Sequence, residues 1–161
     1  MLKKLASLLL ILGVASTLYD LALLRGADFA QDPVGAHRAS SAREAYRWMA
    51  RNLPGNAIVQ ANPDVMVEFF NGLWGHRQTV AVGEYYGTMY GVPIETYRPV
   101  HDQVAAIFQT GDRAAETCDR FRIDALVIAD VDPIWQESLR WGEPLYANAH
   151  FRVIRPSTFP R

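Results

Sequence analysis

The sequence is poor in the residues that build disulfides, metal sites and nucleophilic active sites. Cys118 is the only cysteine among 161 residues, so no internal disulfide can form, and we expect its thiol to be buried and inert. The four histidines show no HxH or HExxH spacing, which predicts no metal site. GxSxG, GxGxxG and P-loop motifs are all missing, so the common signatures of serine hydrolases and nucleotide-binding proteins are missing too. We therefore expect no cofactor.

Lysine is almost absent, and an excess of charge of either sign is also lacking. Lys3 and Lys4 are the only lysines, arginine takes their place elsewhere, and the formal net charge is −1. A nucleic-acid partner would require basic residues clustered on one face, so this balance argues against one. The length leaves room for one globular domain once the distinctive N-terminal residues are set aside.

An apolar run, Leu5–Leu24, follows the two lysines. About 20 helical residues span roughly 30 Å, the thickness of the hydrocarbon core of a bilayer. Because positive residues stay on the cytoplasmic side, residues 1–25 are predicted to be a membrane anchor with an extracytoplasmic, periplasmic or extracellular domain behind it. The alternative is a signal peptide cleaved after Ser16, which would release a secreted domain.

Composition divides the remaining chain into a linker, a domain and a tail. Residues 26–41 contain Gly, Pro and small side chains without helical or strand periodicity, and are predicted to be a linker. Ser41 and Glu44 have the spacing of a capping box, which predicts a helix over residues 42–52. The domain is expected to cover residues 42–156, and residues 157–161 a tail.

Short apolar segments alternate with helical patterns through the predicted domain. Residues 57–61, 78–82 and 125–129 are predicted to be strands, the last of them central because it is continuously apolar. Residues 144–147 and 151–154 predict a terminal antiparallel hairpin. The expected fold class is α/β, a small doubly wound sandwich with about three parallel strands and a C-terminal hairpin.

Polar residues follow each predicted parallel strand, at the edge where α/β sheets bind ligands. The candidate ligand-binding residues are Asn62, Asp64, Glu84, Tyr85, Tyr86, Asp130 and Asp132. In one interpretation the four carboxylates converge in a crevice on a sugar, a metal or another cation. In the other, Asn62 and Asp132 are helix caps and the remaining side chains are solvated.

The two tyrosines belong to a predicted loop at residues 83–93 that is rich in glycine and tyrosine. Exposed tyrosines would stack on a sugar ring or lie at a membrane interface, and buried ones would form a lid over the sheet edge.

The order of motifs resembles a known class of membrane protein. The motifs are an apolar helix ending near Tyr19-Asp20, a helix containing Trp48 that runs into residues 52–59, then Asn62-Pro63, Gly75-His76-Arg77 and residues 121–128. This order resembles the C-terminal extracytoplasmic domain of polytopic glycosyltransferases of the dolichyl-phosphate-mannose mannosyltransferase-like (GT-C) class. In that class the catalytic acid lies in an early loop between membrane helices. This chain has no such loop, so no catalytic residue is transferred to it.

The resemblance implies a non-catalytic accessory domain that contacts a lipid-linked sugar, a glycan or a membrane partner. Two other hypotheses remain open. The first is a carbohydrate-active hydrolase that uses the carboxylates at the strand ends. The second is an interaction module that pairs with another chain through its hairpin edge.

Overall fold

The computed structural model describes residues 13–14, 16–19, 33–65, 70–89 and 91–156. The chain divides into two compact units, Met1–Ala39 and Ser40–Arg161, and the second contains the sheet. Most of the predicted apolar span lies outside the described residues, as does the predicted tail at residues 157–161. Within the part that is described, no helix has the length and apolar character needed to cross a membrane.

Four strands form one mixed sheet. They are β1 (Val59–Ala61), β2 (Ala125–Ala129), β3 (Tyr146–Ala147) and β4 (Phe151–Ile154), in the order β1-β2-β4-β3. β1 and β2 are parallel, whereas β4 is antiparallel to both β2 and β3. The predicted α/β class and the terminal hairpin are therefore confirmed.

From Pro33 onward, the α-helices with described bounds are α1 (Pro33–Asn52), α2 (Glu84–Met89), α3 (Ile94–Gln109) and α4 (Ala114–Phe121). A π-helical turn covers Asn71–Gly75, and 3₁₀ turns cover Pro133–Trp135 and Glu137–Arg140. Asn62-Pro63 also predicts the start of a helix with Val65, Phe69 and Leu73 on its buried side. Residues 63–65 instead form a turn, and residues 66–69 lie outside the described residues.

Apolar side chains cover both faces of the sheet. On one face, α1 contributes Ala45, Tyr46 and Met49 to a cluster with the odd-numbered residues of β2. On the other, α3 and α4 pack against the even-numbered residues of β2. Every residue of β2 is consequently at most 1% exposed, as expected of a strand covered on two sides.

The third parallel strand predicted at residues 78–82 is not formed. A single parallel bridge joins Gln78 to Ile58, and the ladder stops there. Beyond it, the buried Gln60 amide replaces backbone pairing. Its Oε1 accepts hydrogen bonds from the N–H groups of Val80 and Ala81 at 2.9 and 3.0 Å, and its Nε2 donates to the Ala81 carbonyl at 2.8 Å. Because one side chain satisfies these backbone groups, the segment has no need of a continuous ladder.

Two helix boundaries also differ from the prediction. α1 begins at Pro33, so residues 33–41 are helical where a linker was expected, and Ser41 lies inside the helix and does not cap it. Proline is well suited to a first helical position, because it lacks the N–H that would have no partner there. The predicted loop at residues 83–93 contains α2, a six-residue helix that bears both candidate tyrosines.

Candidate functional site at the strand ends

The carboxyl ends of β1 and β2 bring Asn62 and Asp132 together. Asn62 follows β1 directly, and its Nδ2 donates a hydrogen bond to Asp132 Oδ1 at 2.8 Å. The Asn62 Oδ1 accepts the N–H of Asp64 at 3.0 Å, and Asp132 Oδ2 accepts the N–H of Ala129 at 2.7 Å. Two residues that are 70 positions apart in sequence thus join the two strand ends through their side chains.

Asp132 is a buried carboxyl group and not a conventional helix cap. It occupies the N-cap position of the 3₁₀ turn, but its side chain makes no capping bond to that turn. Only 3% of the residue is exposed, and burial raises the pKa of Asp132 above its ordinary value of 3.8. The hydrogen bonds from Asn62 and the Ala129 N–H oppose this rise, since they stabilise the ionised form.

The raised pKa of Asp132 predicts a pH-dependent contribution to stability. Between pH 3.8 and the raised pKa, the folded protein holds a proton on Asp132 that the unfolded chain has released. The stability that this proton contributes is therefore fully present below pH 3.8 and is lost as the pH rises through the raised pKa. We expect urea unfolding to show wild type gaining stability relative to Asp132→Asn on acidification. Other carboxyl groups titrate in both proteins and cancel in the difference. Parallel pH profiles would contradict the assignment.

Asp64 contacts a buried histidine of α3. His101 is 8% exposed, with its Nε2 at 3.3 Å from Asp64 Oδ1 and its Nδ1 at 3.2 Å from Asp102 Oδ1. A neutral imidazole has one N–H, so both contacts become hydrogen bonds only when both nitrogens are protonated. The histidine was missed from sequence because it was considered only as a metal ligand. Its position three residues before the buried Val104 on α3 is a signal that could have placed it inward.

Glu84 pairs with Arg98 and faces solvent. Its two carboxylate oxygens lie 3.1 and 3.2 Å from the guanidinium nitrogens, which links α2 to α3. The hydrogen bonds from Arg98 lower the pKa of Glu84, and attraction to His101 acts in the same direction. Glu84 therefore stays ionised at neutral pH.

Asp130 pairs with a histidine of the hairpin. Its Oδ2 lies 2.8 Å from His150 Nδ1, while the Asp130 N–H donates to the His150 carbonyl at 3.0 Å. The antiparallel register of Ala129 with Phe151 places the two residues opposite each other, one step beyond the ladder. Sequence reasoning missed His150, although this register follows from the predicted hairpin once β2 is known to be its neighbour.

The two tyrosines of α2 differ in exposure. Tyr85 is 72% exposed, whereas Tyr86 is half-buried, and their rings meet edge to face with centroids 5.3 Å apart. α2 rests on Tyr97, whose hydroxyl accepts the Val82 N–H at 2.8 Å and donates to the Val82 carbonyl at 2.5 Å. A Cβ at Gly87 would collide with the Tyr97 ring, so glycine is required for this close approach.

The predicted residues thus fall into separate hydrogen-bonded groups. Asn62, Asp64 and Asp132 are linked directly, whereas Asp130 and Glu84 have partners of their own. A pocket of about 280 Å³ lies between α3 and α4, and none of the seven predicted residues lines it. No cluster of three or more His, Cys, Asp or Glu suited to a metal ion occurs within the described ranges.

No protein-family model, curated protein or solved structure gives a significant match to this chain.

Proposed function

We propose that the chain is a non-catalytic extracytoplasmic accessory domain of a membrane glycosyltransferase-like system. The apolar run at Leu5–Leu24 would anchor it, and the domain would contact a lipid-linked sugar or glycan. The observation that supports this proposal is that all four candidate carboxylates already have partners within the protein: Asn62 and a backbone N–H for Asp132, His150 for Asp130, Arg98 for Glu84 and His101 for Asp64.

These partners argue against the hydrolase alternative. Glycoside hydrolysis uses two carboxyl groups on opposite sides of one glycosidic bond, roughly 5–9.5 Å apart and open to the substrate. Asp132, the candidate whose raised pKa would suit a general acid, is 3% exposed and hydrogen-bonded on both oxygens. It therefore cannot approach a sugar without breaking the link between the two strand ends.

Tyr85 is the aromatic side chain that we assign to ligand contact. Tyr85 is 72% exposed on a helix that packs closely against the Tyr97 ring at Gly87, and it offers a flat ring to a pyranose face. The neighbouring Tyr86 supports the ring from the side. A stacking contact of this kind tolerates different sugars, which suits an accessory role.

The test is binding and turnover by the purified full chain with a mannosyl-phospho-polyprenol. We expect saturable binding without hydrolysis or sugar transfer, and Tyr85→Ala should weaken the affinity roughly three- to tenfold because a ring contact is lost. Leu73→Ala, at another exposed apolar position, is the matched control and should bind normally. Turnover that Asp64→Asn or Asp130→Asn abolishes would overturn the proposal in favour of a hydrolase.

A further inference from the structure

The outward face of α2 and the turn after it expose three apolar side chains. Tyr85, Met89 and Val92, here called the α2 patch, are 72%, 51% and 41% exposed. Tyr85 and Met89 are four residues apart on the helix and so lie on the same side of it. Among the residues that the structure describes beyond position 33, the other exposed large apolar side chains are Leu73, Val131 and Leu139, each from a different segment. Single exposed residues are ordinary, whereas two on the same side of one short helix and a third in the turn that follows suggest a partner.

Several contacts hold the helix that carries the α2 patch against α3. Gly87 brings the helix onto the Tyr97 ring, the Tyr97 hydroxyl bonds both backbone groups of Val82, and Glu84 pairs with Arg98. These contacts occupy the inward side of α2. Because every residue of α2 stays at least partly exposed, the helix adds no side chain to the core, and packing does not explain its apolar residues.

We propose that the α2 patch docks on the surface of a lipid bilayer. This inference rests on the proposed function, since it requires the Leu5–Leu24 anchor. Tyrosine favours the membrane interface, because its ring is apolar and its hydroxyl remains hydrated. The three side chains of the patch are uncharged, and Glu84 at the start of α2 is paired with Arg98. The headgroup level is also where a lipid-linked sugar presents its sugar, so Tyr85 would meet both at the same depth.

The length of chain between the anchor and α1 supports the bilayer as the occupant. Residues 25–32 separate Leu24 from Pro33, and eight residues extend over at most about 29 Å. A tether this short makes contact with the membrane an intramolecular event with a high effective concentration. Three apolar side chains would bind a free vesicle only weakly, but they are then enough to hold the anchored domain against the membrane.

The experiment places an environment-sensitive fluorophore on the patch in the full chain, reconstituted into phospholipid nanodiscs. Met89→Cys is the test site and Leu139→Cys, at 59% exposure on a 3₁₀ turn, is the matched control. Native Cys118 does not interfere because it is 1% exposed and burial raises the pKa of its thiol to about 12. Val92→Cys provides a second reporter on the patch.

We expect the fluorophores at positions 89 and 92 to shift to the blue and to be quenched by lipid with a spin-labelled acyl chain, while the one at 139 does neither. An unshifted signal at 89 in a chain that co-purifies with nanodiscs would overturn the docking and leave the anchored accessory domain standing. A blue shift without quenching by the lipid would also overturn it, since protein would then cover the patch. A chain that fails to associate with nanodiscs would overturn the anchor itself.

Discussion

Arg77→Met is expected to lower the free energy of unfolding by about 2–4 kcal/mol, because several hydrogen bonds to one charged group are lost together. The guanidinium closes the C-terminal end of α1. Its Nη2 donates to the carbonyls of Ala50 and Leu53 at 2.8 and 2.7 Å, and its Nη1 lies 3.2 Å from the carbonyl of Gly75. These carbonyls include groups that a helix cannot satisfy within its last turn, and a positive charge also opposes the negative end of the helix dipole.

Arg77→Lys separates charge from geometry. An ammonium group keeps the charge, but it cannot bridge the end of α1 and the π-helical turn with two separate nitrogens, so we expect it to recover only part of the loss. Arg120→Met is the control, because Arg120 is exposed and its side-chain hydrogen bond goes to Gln103. The measurement is the urea midpoint of all three variants. An Arg77→Met midpoint equal to that of Arg120→Met would refute the capping role.

Exchanging the two side chains at the strand ends is expected to restore stability that each single substitution removes. Asn62→Asp places two carboxylates against each other in a buried site, which costs about 3–5 kcal/mol. Asp132→Asn turns an amide N–H at position 132 towards the Asn62 amide, and the lost hydrogen bond costs about 1–3 kcal/mol. The double variant again sets a donor against an acceptor, since the amide introduced at position 132 can donate to the carboxylate introduced at position 62 while its oxygen still accepts the Ala129 N–H.

A double-mutant cycle on thermal or urea unfolding measures the coupling between positions 62 and 132. We expect the double variant to be more stable than Asn62→Asp alone, with a coupling energy of about 2 kcal/mol or more. Acidification should partly rescue Asn62→Asp, because protonating one carboxyl group removes the repulsion. Additive losses at the two positions would show that the 2.8 Å contact contributes little to joining β1 and β2.

Local sequence pattern predicted the strands in which nearly every residue lies in the same buried environment. Residues 125–129 were predicted as a central strand because every position is apolar, and β2 has these same bounds and is buried throughout. Residues 151–154 were likewise predicted within a hairpin, and β4 confirms them. The segment at residues 78–82 ends in three apolar residues and was also predicted to be a strand, but Gln60 satisfies part of its backbone. A window along the sequence contains no information about that distant side chain.

For the candidate site, too, local sequence and tertiary structure determined different features. The sequence by itself determined that polar residues follow the strands and that the common metal, nucleotide and serine-nucleophile motifs are missing, because these depend on residue type and local order. Tertiary structure alone decided their partners: Asn62 for Asp132, His150 for Asp130 and His101 for Asp64. These pairs join residues 20 to 70 positions apart, and such contacts exist only after the chain has folded.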